Sequence, residues 1–450
     1  MVTYKVPVVN LYRPRRVPGP WLARWTRLWE WHHVRSNHFE QVNLMLHRKY
    51  GSVVRIAPNR YSISCPQAVQ QVYGHATRFT KDRYYRAFGH PDDSQADLFT
   101  VIDERRHATN RRKVASLYSM SSLVAYEAAV DECNTILVNK LKELAAQGQC
   151  VPIPVWMQYY AFDVMGNISV GQSFGMMDRG GDSDGILSTI HQFLTYSSVM
   201  GLFSEWHSSA LRLNHLVGQN SAGENINGYA QRCIAARRDS DDRKLGSTDF
   251  IDRLLSLEKA GKLDAHDVFS TINGNIAAGS DTIGLSLSAV IYYLAQHPDA
   301  RQNLCDEINE RPEGRISFAD TQAMPYLQAV IKETLRMHPA VGTILPRSVV
   351  GVNPWVYHRD PQVYGPDADS FRPERWLGPK EETAQLERSL FTFGAGARTC
   401  LGRNIALLEL AKLIPQLYRY FEFELEGAWQ TTNVFLVKPS FTCKIHLRRP

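Results

Sequence analysis

The sequence predicts a mainly α fold, one large helical region with a small β-rich part. Apolar residues recur at helical spacing through residues 121–147 and 186–203. Three longer stretches read as helices: about Ala265–Gln296, about Met324–His338, and from just after Cys400 to about Tyr420. His297-Pro298 ends the first and Pro339 the second, because a residue before proline resists helical angles. Residues 52–64 (SVVRIAPNRYSIS) instead alternate and carry β-branched side chains, the mark of a short hairpin. Asp178–Asp184 and Arg237–Gly246 are polar and rich in Gly or Asp, so they read as connections and not as domain boundaries. The stiff basic run Arg13–Pro20 makes residues 1–20 a linker, and 21–450 a single domain.

Composition narrows the function classes. With 450 residues, 44% hydrophobic and 21% charged, the chain has the make-up of a globular protein long enough to enclose a cofactor. A formal charge of +6 fits an acidic protein partner or peripheral contact with an anionic membrane. No basic stripe interleaved with aromatics occurs, so no nucleic-acid partner is expected. The seven cysteines are widely spaced without a CxxC pair, which argues against zinc ribbons and thioredoxin-like chemistry and for reduced thiols. The first 20 residues lack the apolar length and cleavage pattern of a signal peptide. No run reaches the roughly 18–20 apolar residues of a membrane span.

The most informative stretch is Phe391–Ala406, where Gly394, Gly396 and Gly402 surround Cys400. Ile405, Leu408, Ala411 and Leu413 then follow a helical pattern, so Cys400 falls at a helix N-terminus. Free amides and the helix dipole there favour a thiolate, the form a metal ligand takes. A buried cysteine after a glycine-rich turn is the plain structural alternative. A phosphate cradle is disfavoured, because no Lys-Ser/Thr follows and no strand-to-helix dinucleotide unit surrounds it.

The spacing Phe393-x-x-Gly396-x-Arg398-x-Cys400-x-Gly402 resembles the haem-binding signature of the cytochrome P450 superfamily. The resemblance implies a cytochrome P450 fold, haem b (iron protoporphyrin IX) as cofactor, Cys400 as the iron ligand and Phe393 beside it. Lys332-Glu333-Thr334-Leu335-Arg336 and Phe371-Arg372-Pro373-Glu374-Arg375-Trp376 resemble the family's Glu-x-x-Arg and Pro-Glu-Arg elements. They imply a buried structural network of Glu333, Arg336 and Arg375. Ala277-Ala278-Gly279-Ser280-Asp281-Thr282 resembles the oxygen-activating motif. There Asp281 and Thr282 are the implied catalytic acid–alcohol pair, and the Gly-Ser step is expected to open the helix locally. Ile283 stands where many fungal relatives have a second threonine. His107-x-x-x-Arg111 resembles the propionate-contacting helix, with Arg347 and Arg398 as further propionate partners.

Segments Ser116–Ser121, Tyr160–Met165 and Met324–Gln328 give a narrower likeness, to filamentous-fungal microsomal members of the pisatin demethylase-like kind. That likeness implies a monooxygenase inserting one oxygen atom from O2 into a small hydrophobic substrate, in secondary metabolism or detoxification. It implies NADPH-cytochrome P450 reductase as a separate partner, since the chain has no flavin or nicotinamide motif, with Arg403 on the docking face. The cytosolic face of the endoplasmic reticulum is the implied location. The implied pocket draws on Tyr84–Phe88, Asn273–Ala278, Ala340–Ile344 and Phe435.

Two departures stand out. The membrane anchor usual before the Pro-Gly-Pro entry is missing, as in a truncated gene or an unanchored form. After Arg347 a proline- and glycine-rich hairpin of roughly 20 residues is also absent, consistent with a splicing or gene-prediction gap. Its loss is expected to strip strands from the β-region and shift Arg347. An inactive or non-oxygenating haem-binding variant is therefore the alternative reading.

Overall fold

A computed structural model describes residues 17–75, 77–183, 185–216, 224–239 and 249–448. Most of the 1–20 linker lies outside them. So does most of the Arg237–Gly246 connection, but Arg237–Asp239 end a helix spanning Glu224–Asp239. A short helix, Met176–Arg179, also occupies the start of the Asp178–Asp184 loop.

Seven helices matter for the site: α1 (Glu104–Val114), α2 (Glu127–Gln147), α3 (Ile153–Val170), α4 (Ile186–Met200), α5 (Ala265–Gln296), α6 (Pro325–Met337) and α7 (Arg403–Tyr420). The bounds of α5 are those the sequence predicts, and the reason is local. Asp264 accepts from the Asp267 amide and the Asp267 side chain accepts from the Asp264 amide, a reciprocal cap that starts the helix. Pro298 stops it. The α5 helix packs along α3 and α7. Gly279 and Gly284 make the first contact possible: a Cβ at Gly279 would meet Met165 Sδ at 2.9 Å, and one at Gly284 would meet the Gln158 Cα at 2.9 Å. From Leu408 to Tyr418, α7 is buried throughout.

The first sheet has four strands in the order β1 (Val53–Ala57), β2 (Arg60–Ile63), β4 (Val350–Val352), β3 (Leu345–Arg347). β1 and β2 form the expected hairpin; β2 and β4 run parallel, with Tyr61 opposite Val350. β3 and β4 are joined by only Ser348 and Val349, with Ser348 in the left-handed region at φ 51°. The short connection thus closes as a tight hairpin within a four-stranded sheet. The Tyr73 hydroxyl ties both strands, donating to the Leu345 carbonyl and accepting from the Val352 amide at 2.8 Å.

A second, two-stranded sheet, β5 (Phe421–Val434) and β6 (Leu436–Leu447), ends the described chain. It was readable in Phe421-Glu-Phe-Glu-Leu-Glu426, whose strict apolar–acid alternation fits a half-buried strand.

Candidate active site

Cys400 sits where the glycine-rich turn meets α7. Its amide donates to the Phe393 carbonyl at 2.8 Å, which closes the loop. Gly396 is at φ 67°, and a Cβ there would fall 1.8 Å from the Tyr73 carbonyl oxygen, so only glycine fits. Phe393 lies under the Arg403 guanidinium, 5.7 Å from the ring centroid.

The Cys400 side chain is exposed, yet burial pushes its thiol pKa up. Both hold together if the sulfur faces an enclosed recess and not the outer surface. The amides of Gly402 and Arg403 and the charges of Arg111 and Arg403 pull the other way, toward thiolate. A Cβ at Gly402 would meet nothing within 4 Å, so space is open beside the first turn. On α5, packed against α7, Ala278 is exposed and Thr282 half-buried amid buried neighbours, an accessible stripe at one-turn spacing.

The other rim is cationic. Arg347 Nη1 and Arg398 Nε reach the two oxygens of one carboxylate, Glu104, at 3.0 and 3.1 Å. Burial opposes the charge on Glu104, but these arginines hold its pKa below the usual range. Arg398 also donates to the carbonyls of Val101 (2.6 Å) and Ile102 (3.1 Å). Lys81, buried, donates to the Phe99 carbonyl, its ammonium 3.9 Å from the Tyr85 ring centroid and 4.3 Å from that of Phe99. Burial, then Arg398 and Arg347, drive its pKa well below that of an ordinary lysine. Two arginines therefore share one carboxylate, with a buried lysine amine beside them, a surplus of cationic groups suited to the two propionates of a haem. The donor sulfur, the open space at Gly402 and this surplus together fit that group.

His107 departs from expectation in its charge. It is buried, and burial followed by Arg398 and Arg111 lowers its pKa to about 4. At neutral pH it is an uncharged hydrogen-bonding group, not a cation. Arg347 shares Glu104 with Arg398.

Asp281 and Thr282 are neighbours in sequence but their side chains have different partners. The Thr282 hydroxyl donates to the Ala278 carbonyl at 2.9 Å, on the accessible stripe. Asp281 is buried, accepting from the Gln158 amide of α3 and lying 2.9 Å from Lys438 Nζ of β6. The expected local opening is absent, because α5 is helical without interruption. A Cβ at Gly274 would meet nothing within 4 Å, so space is open beside α5 without it.

The structural network forms as expected. Arg336 meets Glu333 through two bonds of 2.8 Å and donates to the carbonyls of His358, Ala368 and Ser370. Arg375 Nε lies 3.3 Å from Glu333, and Trp376 Nε1 donates to it at 2.9 Å. Sequence reasoning missed Lys81, Glu104, Gln158 and Lys438. None of them sits in a pattern that distinguishes it from an ordinary surface residue.

An accessible cysteine at a helix start, with a cluster of arginines elsewhere in a mainly helical fold, has the groups of a haem-thiolate protein. The Cytochrome P450 family profile matches residues 18–440, and the chain belongs to that family. It is 37% identical to pisatin demethylase of Fusarium vanettenii over 97% of this chain and 89% of that protein. It is 31% identical to the cytochrome P450 monooxygenase cicH of Emericella nidulans, over 96% of this chain and 95% of that one. It is also 31% identical to the monooxygenase gsfF of Penicillium aethiopicum, over 98% and 94%. The protein is thus a haem-binding monooxygenase of the family that uses O2 and a redox partner. The alignment to pisatin demethylase runs to 462 positions against 450 residues here, so that relative carries residues this chain lacks.

Proposed function

We propose that this chain, as one catalytic domain, oxygenates a small hydrophobic substrate in fungal secondary metabolism, taking electrons from NADPH-cytochrome P450 reductase. The observation that carries the reading is the Cys400 side chain, exposed at the start of α7 with the amides of Gly402 and Arg403 favouring its thiolate. Haem bound there supplies the dioxygen-activating redox chemistry, which an electron-rich thiolate favours. The chain's own residues do the rest. Gly402 and Arg403 amides stabilise the sulfur anion; Arg347, Arg398, Arg111 and Lys81 hold the propionates, with His107 as a neutral partner. Thr282 presents a hydroxyl on the accessible stripe, and Asp281 behind it is the acid that passes protons toward it. Phe88, whose ring meets Tyr84, Tyr85, Phe99, Phe193 and Phe435, forms an apolar wall that suits a hydrophobic substrate.

No helix among the described residues is long and apolar enough to cross a membrane. Exposed Trp21, Leu22, Trp25 and Leu28 adjoin exposed Trp206 through Arg27, which pairs with Glu205 and donates to the Leu202 carbonyl at 2.9 Å. This patch supports peripheral contact with the cytosolic face of the endoplasmic reticulum.

A carbon monoxide difference spectrum of the reduced protein tests the proposal. A thiolate-type Soret band is expected, and its absence from folded, haem-supplied protein overturns the reading. The short Ser348–Val349 connection favours one rival, an inactive or non-oxygenating haem binder. Product analysis with the reductase separates the two: a Soret band with no oxygenated product from any substrate supports the rival.

A further inference from the structure

Phe99 belongs to the apolar wall, but its backbone is held by the cationic rim. Its ring centroid lies 5.4, 5.8 and 6.2 Å from those of Tyr85, Phe88 and Phe435. Phe99 is nevertheless 44% exposed, so part of the ring stays uncovered. Ligand pockets are lined largely by such aromatic side chains. The Phe99 carbonyl accepts from Lys81, which pairs with Arg347 across a β-bridge. Just beyond, the carbonyls of Val101 and Ile102 accept from Arg398 at 2.6 and 3.1 Å. The turn at residues 97–101 is tight. Asp97 Oδ1 accepts from the Phe99 and Thr100 amides at 2.9 and 2.7 Å, and the Val101 amide donates to the Asp97 carbonyl at 2.9 Å. A displacement at Val101 is therefore passed on to Phe99.

Glu104 fixes this attachment. It opens α1 and takes Arg347 Nη1 at 3.0 Å on one oxygen and Arg398 Nε at 3.1 Å on the other. Both arginine side chains are 7% exposed, so the bridge they share with Glu104 is largely shielded on their side. A guanidinium is a rigid fork, so holding Nε on Glu104 also sets where Nη1 and Nη2 point, here at the Val101 and Ile102 carbonyls. Glu104, His107 and Arg111 share one face of α1. One carboxylate thus ties together three segments distant in sequence: α1, β3 and the cysteine loop.

We propose that Glu104 is a positioning residue that couples the cofactor rim to the substrate wall: by holding Arg347 and Arg398 on one carboxylate, it fixes the turn at residues 97–101 and so the way Phe99 meets an apolar guest. This rests on the proposed monooxygenase reading for the guest, while the attachment itself is testable without turnover. The probes are imidazole and 4-phenylimidazole, titrated into haem-loaded protein and followed by the Soret shift of a nitrogen-ligated iron. Imidazole is small enough to engage the iron alone; the phenyl group of the second also meets the wall. In Glu104→Gln the amide turns a donor toward one of the arginines. Affinity for 4-phenylimidazole is expected to fall about tenfold, the scale of one lost charge-assisted contact, and that for imidazole by less than about twofold. Adding Phe99→Ala to Glu104→Gln costs little more, because coupled residues are not additive. Equal losses for the two azoles, the mark of general loosening, overturn the proposal, and so does an unchanged ratio. Glu104→Asp, too short to reach both arginines, takes the place of the Gln variant should that not fold. Hydrogen exchange across residues 97–107, read by mass spectrometry, is expected to quicken in either variant; unchanged exchange overturns the proposal. Should the parent protein give no thiolate-type Soret band, the monooxygenase reading fails, and the exchange result alone decides whether Glu104 holds the turn.

Discussion

The two sides of the recess handle charge in opposite ways. Behind the cysteine loop, Glu333 is met by Arg336, Arg375 and Trp376, and the remaining guanidinium donors end on backbone carbonyls or Asp367. That region is complete without any ligand. On the facing rim, Arg347 and Arg398 share the single carboxylate of Glu104, and Lys81 lies buried beside them with Asp97 and Glu104 as the nearby negative charges. One side is a finished scaffold; the other is a charge imbalance that an anionic group must correct. A buried pair tells about folding, while a buried surplus tells about what the protein binds.

The largest test of this contrast is Arg336→Ala. It strips the buried Glu333 of its two-bond partner and leaves it only Arg375 at 3.3 Å as a cation, so about 3–5 kcal/mol of stability is lost. Urea unfolding should show it, with or without haem. Next comes Gly396→Ala, which drives a side chain into the Tyr73 carbonyl. The thiolate-type Soret band should disappear while far-ultraviolet circular dichroism still reports a helical fold. Arg398→Met acts on the other rim. Removing one charge-assisted contact, worth roughly 1.5–3 kcal/mol, should speed haem transfer to a haem-free acceptor protein by about 10- to 100-fold. Stability of the haem-free form should fall much less than in Arg336→Ala; equal losses would erase the distinction between the two sides.

The smallest effect is on acid stability. Burial lowers His338 to about 4 and His358 to about 3, from 6.5. As pH falls below the unfolded value, the unfolded chain takes up protons that the folded one refuses. Stability is therefore present above about pH 6.5 and is lost as pH drops toward 4 and 3. Replacing His358, which accepts from the Phe391 amide at 2.8 Å, with Gln should flatten that slope in urea melts from pH 7 to 4.

What the sequence made legible follows from locality. The bounds of α5 come from a cap and a proline within a few residues of its ends. The cysteine turn comes from glycines that its own geometry requires. Glu333, Arg336 and Arg375 were legible because two short motifs place them. Lys438 was not, since it matters through Asp281, more than a hundred residues away, and Lys81 was not, since its burial beside Arg347 is set by a strand pairing across the chain. The neutrality of His107 was hidden for a related reason. Sequence shows that a histidine is present; neighbouring arginines and burial decide whether it carries a proton. The short connection after Arg347 looked like damage because a missing segment is visible in sequence. The two-residue turn that heals the sheet is visible only once β2, β3 and β4 are paired.

Gly279 and Gly284 have a mechanical consequence. They bring α5 and α3 into contact at the level of backbone and Met165, leaving no slack for either helix to slide or roll. The α3–α5 seam is thus a fixed reference surface. Any adjustment of the chamber to differently shaped guests must be taken up by its other walls, the aromatic segment Tyr84–Phe88, α4 and the hairpin tip at Phe435. Variation that retunes guest size without disturbing oxygen chemistry should collect in those walls.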